Sequence, residues 1–230
     1  LPEKLYTKRT VAMTPEQLKA YVEMKRSAMT FLDNDKMMSA PTVLTQIIRL
    51  HQITCGHFKS DDGEIVPLKN NRLQELLNIL EETSGKVIIW AVYRHDIQTI
   101  EKGIGNTYGK ESVASYYGDT PDSERQLIVD SFQDSQSPLR FFVGNPKTGG
   151  YGLTLTSSHT VIYYSNDYSL EVRMQSEDRA HRIGQTNKVT YVDLIAEGTI
   201  DEKIVKALNN KIDLASQVMG EDARKIIFDQ

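Results

Sequence analysis

The sequence predicts an α/β fold, a parallel sheet with helices on both faces, preceded by a helical extension. From residue 68 onward, helical spacings of apolar residues alternate with short apolar runs of strand length. The apolar run over residues 86–92 is typical of a strand that is buried on both faces. The connections are short, and repeated strand–helix units with short connections favour a parallel sheet.

The first part of the chain, residues 1–67, is predicted to be a linker followed by helices. Thr14-Pro15-Glu16-Gln17 is a capping box with proline at the first helical position, which predicts a helix starting there. A second amphipathic set is formed by Val43, Leu44, Ile47, Ile48 and His51. Residues 59–67, with Asp61-Asp62-Gly63, predict a polar turn or a small hairpin.

The second part, residues 68–230, is predicted to be the α/β lobe with a closing C-terminal helix. The helices are expected at residues 73–80, near residues 96–102, after a cap at Thr120-Pro121, and after a capping box at Thr199–Glu202. The strands are expected at residues 86–92, 113–117, 140–143, 160–165 and 189–195.

Composition excludes several classes of protein. No apolar run approaches the roughly 18 residues of a membrane span, so we expect no membrane partner. The single cysteine, Cys55, rules out an internal disulfide and fits a reducing compartment. A net charge of −4 argues against a strongly basic, stand-alone nucleic-acid binder. It leaves room for phosphate contacts that need only a few local donors.

The most informative stretch is Gln175–Gln185, which reads Q-S-E-D-R-A-H-R-I-G-Q. Arg179 and Arg182 lie three apart, so on a helix their guanidinium groups would share one face. A guanidinium is suited to clamping phosphate oxygens. In NTP hydrolysis such an arginine can be worth roughly three to five powers of ten in rate. A charged, solvated helix face is the alternative, and it would suffice for residues 177–179 alone.

A glycine-rich stretch, Lys147–Leu155, follows a predicted strand. Glycines at the carboxyl edge of an open α/β sheet let the backbone approach a phosphate closely. A plain tight turn is the alternative for such a stretch on its own. Together with the two arginines some two dozen residues later, the stretch is interpreted as a coupling loop.

These stretches resemble the motifs of the Swi-Snf family of ATP-dependent DNA translocases, within the superfamily-two helicases. Gln175–Gln185 resembles the last conserved motif, and Lys147–Leu155 resembles the glycine-rich motif before it. The resemblance covers nearly the whole chain. Further stretches match in the right order: Leu1-Pro2-Glu3-Lys4, Met13–Gln17, Tyr117-Gly118-Asp119-Thr120 with Glu124-Arg125-Gln126, and Gly198–Ile204.

The resemblance implies the second, C-terminal RecA-like lobe of such a motor. ATP would bind between the two lobes, with Arg179 and Arg182 as catalytic arginine fingers. The residues implied in ATP binding are Gln175, Gly150, Gly152, Arg179 and Arg182. The chain lacks a Walker A loop and an Asp-Glu-x-His stretch, so Mg²⁺ would be held mainly by the absent first lobe. We expect the chain alone to be inactive and its partner to be the N-terminal RecA-like lobe of the same protein.

The resemblance also implies double-stranded DNA as a partner. Tyr168 stands where the family usually has tryptophan, in Asp167-Tyr168-Ser169-Leu170 instead of Asp-Trp-Asn-Pro. A tyrosine that packs on the arginine helix is the alternative. For each basic residue the alternative is a solvated surface charge. The residues implied in DNA binding are Arg94, Gly118, Arg125, Lys147, Thr148, Gly149 and Tyr168.

Two other functions remain open, a lobe of a strand-separating DNA or RNA helicase and a non-catalytic DNA-binding scaffold. No metal site is expected in this chain, because no second cluster completes a four-ligand zinc site with His51, Cys55 and His57. The short N-terminal part and Tyr168 favour a cytoplasmic protein of a bacterium or of a virus-infected cell. The biological pathway is not identified by the sequence.

Overall fold

The computed structural model describes residues 1–34, 40–148, 152–211 and 214. The chain divides into two compact units. The first, here called the sheet unit, comprises Leu1–Arg9, Leu73–Asp167 and Glu171–Leu194. The second, here called the helical unit, comprises Thr10–Arg72, Tyr168–Leu170 and Ile195–Gln230. The predicted division into domains after residue 67 stays a prediction.

Eight strands and seven α-helices make up the described part of the chain. In chain order they are β1 (Lys4–Thr10), α1 (Pro15–Asn34), α2 (Ala40–Cys55), β2 (His57–Lys59), β3 (Ile65–Pro67), α3 (Arg72–Glu82), β4 (Lys86–Trp90), α4 (Arg94–Tyr108), β5 (Val113–Tyr116), α5 (Asp122–Gln133), β6 (Phe141–Gly144), β7 (Ser158–Tyr163), α6 (Leu170–Glu177), β8 (Val189–Ile195) and α7 (Ile200–Asn209).

The central sheet has six strands in the order β1-β8-β7-β4-β6-β5. The pairs β4–β6, β4–β7, β5–β6 and β7–β8 are parallel, and helices flank the sheet. The predicted α/β class with a parallel sheet is therefore confirmed. The non-consecutive strand order means that chain segments cross over between neighbouring strands, as α/β connections do.

The core of the sheet unit forms around β4. Val87, Ile88, Ile89 and Trp90 have no exposed surface, because β4 is paired on both sides and covered on both faces. Aromatic rings complete this core: Phe142 on β6 packs against Trp90 with a centroid separation of 5.9 Å. The apolar run in the sequence thus becomes a fully buried central strand.

Two of the three predicted helix caps, those at Thr14 and Thr199, are present in the structure. At the start of α1, the Gln17 N–H donates to the Thr14 hydroxyl at 3.2 Å and the Thr14 N–H donates to the Gln17 side chain at 3.1 Å. That capping box is confirmed, as is the Thr199 cap of α7. The Thr120 cap of α5 is wrong: the Thr120 hydroxyl accepts from the Tyr117 N–H and donates to the Ser115 carbonyl, so it closes the preceding turn.

The helical unit contains a buried ion pair. The Asp201 carboxylate accepts from the Arg72 guanidinium, from the Thr54 hydroxyl at 2.6 Å and from the Ala196 N–H at 3.0 Å. Burial by itself would raise the pKa of Asp201, but Arg72 and the hydrogen bonds together hold this pKa below its ordinary value. The predicted hairpin is also present in this unit as the antiparallel pair β2–β3. Among the described residues, no helix combines the length and apolarity that a bilayer span requires.

Candidate nucleotide cleft

The two arginines of the Gln175–Gln185 string lie beyond a helix and not on it. Helix α6 ends at Glu177, and the chain then turns. The expectation that one helix face carries both arginines is therefore wrong. The turn is tight, because the Glu177 carbonyl accepts from the N–H groups of both Ala180 and His181. Residues 178–184 are called the arginine segment below.

The arginine segment ends at a buried glutamine. The Gln185 side-chain amide donates to the carbonyls of Thr156, Ser158 and Ala180 at 3.2, 2.9 and 3.1 Å. Gly184, just before it, has φ +105°, a left-handed conformation that favours glycine. The end of the segment is thereby fixed to the start of β7.

Arg179 is buried, with 8% of its surface exposed. Its guanidinium lies over the Trp90 ring, 5.1 Å from the centroid, and donates to the carbonyls of Thr148 at 2.9 Å and Pro146 at 3.1 Å. Burial lowers the pKa of Arg179, but guanidinium remains charged in proteins. Arg179 therefore connects the arginine segment to the chain that leads into the glycine-rich stretch.

Arg182 is more accessible than Arg179. Its Nη1 lies 3.5 Å from the carbonyl oxygens of Gly152 and Leu153, at the limit of hydrogen bonding. Contacts of that length are weak, so the side chain can reorient toward a ligand at little cost. The neighbouring Ile183 is 92% exposed, which places this end of the segment at the surface of the sheet unit.

A cleft of about 700 Å³ lies beside the arginine segment. Its volume is typical of small-molecule sites, which occupy roughly 300–1,000 Å³. The structure thus brings together Gln175, Gly152, Arg179 and Arg182, four of the five residues implied in ATP binding. The fifth, Gly150, lies outside the described residues, as does Gly149. The lining residues are Leu1, Lys147, Gly152, Leu153, Glu171, Gln175, Asp178, Arg179, His181, Arg182 and Ile183.

The charges of the cleft favour an anionic ligand. Three cationic side chains, Lys147, Arg179 and Arg182, face two carboxylates, Glu171 and Asp178. Both carboxylates already have partners: Gln175 donates to Glu171 at 2.9 Å, and Lys4 lies 3.4 Å from Asp178. Lys147, which was implied in DNA binding, lines this cleft and forms an ion pair of 2.7 Å with Asp167.

The described residues among those implied in DNA binding lie in three places. Arg94, Gly118 and Arg125 gather at the turn after β5, where Arg94 pairs with Asp119 and Arg125 donates to the Thr120 carbonyl at 3.0 Å. The Arg125 guanidinium also lies 3.4 Å from the Gly118 carbonyl, so it holds this turn together.

Thr148 lies next to the cleft, and its carbonyl accepts from Arg179. Tyr168 belongs to the helical unit and packs against the core of that unit.

Sequence reasoning missed the environment of Glu177. A solvated surface is the alternative that the sequence leaves for residues 177–179 alone, and Glu177 is only 7% exposed. Its carboxylate accepts from Arg173 at 2.7 Å, a pair whose i,i+4 spacing was visible in the sequence. Burial alone would raise the pKa of Glu177, but Arg173, Lys4 and Tyr6 together hold it below its ordinary value.

Comparisons with known proteins agree with the sequence motifs. Residues 68–184 match the helicase conserved C-terminal domain. YwqA of Bacillus subtilis, named as a candidate ATP-dependent helicase/translocase, is 30% identical over 96% of this chain and 24% of its own length. The SWI/SNF chromatin-remodeling complex subunit snf22 of Schizosaccharomyces pombe is 27% identical over 95% of this chain and 14% of its own length. The chain thus spans about a quarter or less of these curated relatives.

Among solved structures, this chain is similar to ATPase domains of the SWI2/SNF2 type. The SWI2/SNF2 ATPase core of Sulfolobus solfataricus in complex with dsDNA is similar with a TM-score of 0.78 and 25% identity, over 99% of this chain and 51% of that chain. The C-terminal part of the Fun30 ATPase domain has a TM-score of 0.75 at 19% identity, over 98% of this chain and 96% of that chain. The RecA-like fold is therefore confirmed. Because relatives come from eukaryotes as well as bacteria, the bacterial or viral preference is not supported.

Proposed function

We propose that this chain, which belongs to the helicase conserved C-terminal domain family and has SWI/SNF-type ATPases among its relatives, is the second motor lobe of an ATP-dependent double-stranded DNA translocase. ATP would be held chiefly by the first lobe of the intact protein. Opening and closing of the cleft between the lobes would then move the protein along the duplex.

The observation that carries this proposal is the convergence of Arg182, Arg179, Gln175 and Lys147 on one cleft. Planar guanidinium groups and an ammonium group are the donors that phosphate oxygens require. Charge that develops on the transferring phosphoryl group would be stabilised by these cations. Arg182 is positioned to make the first contact, since its present hydrogen bonds are long.

Arg179 differs from Arg182 in that its guanidinium already donates two short hydrogen bonds to backbone carbonyls. It would contribute to the phosphate by exchanging its bonds to the Pro146 and Thr148 carbonyls for phosphate oxygens. Such an exchange would release Pro146 and Thr148, at the start of the glycine-rich stretch, whenever nucleotide binds. That link would couple the nucleotide to a DNA-contacting loop. DNA contacts by Arg94, Gly118, Arg125, Lys147, Thr148, Gly149 and Tyr168 remain part of the proposal.

Mg²⁺ is assigned to the first lobe. The donor set of this cleft fits the phosphates of ATP, but the two carboxylates of the cleft are engaged by Gln175 and Lys4. A magnesium ion prefers carboxylates that are open to it together with phosphate oxygens. The chain alone is therefore proposed to be inactive.

The central test is Arg182→Ala in the intact protein, measured as DNA-stimulated ATP hydrolysis. We expect kcat to fall by about three powers of ten, the lower end for an arginine finger. Arg49→Ala is a matched control, because Arg49 of α2 is exposed and does not line the cleft. Near-normal hydrolysis by Arg182→Ala would exclude the proposed role.

A second assay separates the translocase from the two alternatives. A translocase should displace a third strand from a triplex without separating the two strands of the duplex. Separation of a forked duplex would favour the helicase alternative. ATP-independent DNA binding without hydrolysis in the intact protein would favour the scaffold.

A further inference from the structure

The carboxylate of Glu177 connects α6 to the sheet through hydrogen bonds. Its Oε1 accepts from Arg173 Nε at 2.7 Å, and Arg173 also pairs with Asp193 on β8 at 2.6 Å. The Arg173 guanidinium lies 3.7 Å from the centroid of the Tyr163 ring. Hydrogen bonds to charged groups in buried surroundings are strong and directional. The position of Glu177 is therefore well defined.

The second carboxylate oxygen of Glu177 is bound by the N-terminal strand. Its Oε2 accepts from the Tyr6 hydroxyl at 2.8 Å and from Lys4 Nζ at 3.0 Å. Burial, followed by this hydrogen bond to Glu177, raises the pKa of Tyr6, so the hydroxyl stays protonated and donates. The ring of Tyr6 stacks on Tyr191 of β8 with a centroid separation of 5.3 Å.

The backbone of Glu177 holds the start of the arginine segment. Its carbonyl accepts from the N–H groups of Ala180 and His181, and also from the Tyr191 hydroxyl at 3.0 Å. His181 makes one further contact with the N-terminal segment, since its Nε2 lies 2.6 Å from the Pro2 carbonyl oxygen. The turn that presents Arg182 is thereby tied to residues 2–6.

The two ends of the arginine segment are anchored differently. Gln185 fixes the far end to β7, a neighbour in the interior of the sheet. Glu177 fixes the near end partly through β1, which is an edge strand of the sheet. A change in the position of β1 would therefore shift the near end and leave the far end in place.

We propose that Glu177 is a positioning residue for Arg182, and that Tyr6 and Lys4 of β1 act through it. The N-terminal strand thereby sets the geometry with which the arginine segment meets the nucleotide. This inference rests on the proposed function of Arg182. Misplacement of a catalytic group by about 1 Å can cost roughly 10²-fold in rate, so small shifts of this turn are sufficient.

The test uses the intact protein and three variants: Tyr6→Phe, Lys4→Met and Glu177→Gln. Tyr6→Phe is the most informative, because it removes one hydroxyl from a half-exposed ring and keeps the stacking on Tyr191. We expect kcat for DNA-stimulated ATP hydrolysis to fall by about fivefold for Tyr6→Phe and by about tenfold or more for Glu177→Gln. KM for ATP and DNA affinity should stay within twofold.

A double variant shows whether Tyr6 acts through Glu177. If it does, Tyr6→Phe added to Glu177→Gln should lower kcat no further than Glu177→Gln alone. Lys188→Met is the matched control for Lys4→Met. Lys188 forms an exposed ion pair of 2.8 Å with Glu3 of the same N-terminal segment, but it does not contact Glu177 through any hydrogen bond among the described residues.

The outcomes separate this inference from the proposed function. An inactive Arg182→Ala variant together with lowered kcat and an unchanged melting temperature for Tyr6→Phe supports the positioning role. An inactive Arg182→Ala variant together with normal kcat for Tyr6→Phe and Glu177→Gln overturns it and leaves the proposed function standing. A loss of kcat that only follows a loss of thermal stability also overturns it. Normal activity of Arg182→Ala overturns both.

Discussion

Replacing Arg72 by methionine removes one partner of the buried ion pair in the helical unit. Arg72 has no exposed surface, and the side chain of Asp201 is 4% exposed. In Arg72→Met, the Asp201 carboxylate keeps the Thr54 hydroxyl, the Ala196 N–H and the His51 ring at 3.9 Å but loses its guanidinium. Leaving this buried carboxylate without its guanidinium partner destabilises the fold by more free energy than the intact ion pair contributes to its stability.

The expected loss in the free energy of unfolding is about 3–5 kcal/mol, the range for breaking a buried pair from one side. Typical proteins are stable by only about 5–15 kcal/mol, so this is a large share of the total. For a chain of 230 residues, each kcal/mol lowers Tm by about 2–4 °C. We therefore expect Tm to fall by about 10 °C.

The assay is equilibrium urea unfolding followed by far-UV circular dichroism, with Arg9→Met as the control. Arg9 is paired with Glu82 at the surface, so solvent screening should make its loss much smaller. The double variant Arg72→Met/Asp201→Asn removes both charges and keeps an acceptor for Thr54. Because asparagine has one acceptor oxygen where aspartate has two, the Ala196 N–H loses its acceptor, and this double variant should recover only part of the lost stability. A double variant as unstable as Arg72→Met would refute the unpaired charge as the cause.

Three further predictions concern pH, packing and the arginine segment. Because the pKa of Asp201 is held below its ordinary value of 3.8, its contribution is present above about pH 4 and is lost as the pH falls further; Asp201→Asn should flatten the decline in Tm below pH 4. Gly144→Ala places a Cβ 2.9 Å from the Trp90 ring and should cost about 1–3 kcal/mol in chemical unfolding, whereas Gly118→Ala meets open space and should cost under about 0.5 kcal/mol. Gln185→Leu leaves buried carbonyls without a donor and should cost about 1–3 kcal/mol, with a parallel loss of kcat in the intact protein. An unchanged melting temperature for any of the destabilising variants would contradict the corresponding contact.

Local signals explain why much of the fold was predictable. The Thr14–Gln17 capping box is formed by atoms three residues apart, so its sequence is nearly sufficient to specify it. The run at residues 86–92 was predicted as a buried strand, because a strand covered on both faces is apolar at successive positions and the run has the length of a strand. Thr120 failed as a cap because its hydroxyl found a partner within the preceding turn.

In the candidate site as well, short-range sequence signals identified the residues but not their tertiary environment. The motif string identified Arg179, Arg182 and Gln175, which do line one cleft. It did not indicate that Arg179 is buried over Trp90, since these two residues lie 89 positions apart in the sequence. Nor did it indicate the end of α6 at Glu177, because that end depends on hydrogen bonds from Tyr191 and the turn that follows.

By itself, the sequence determined the α/β class, the caps at Thr14 and Thr199, and the stretch that contains Arg179 and Arg182. These features depend on period, spacing and residue type, which are encoded within a few positions. Only the tertiary structure decided that Lys4 and Tyr6 meet Glu177, some 170 positions away, and that the Glu177 side chain is buried. Such contacts follow from the order of strands in the sheet, which places β1 beside β8. No local sequence pattern specifies this order.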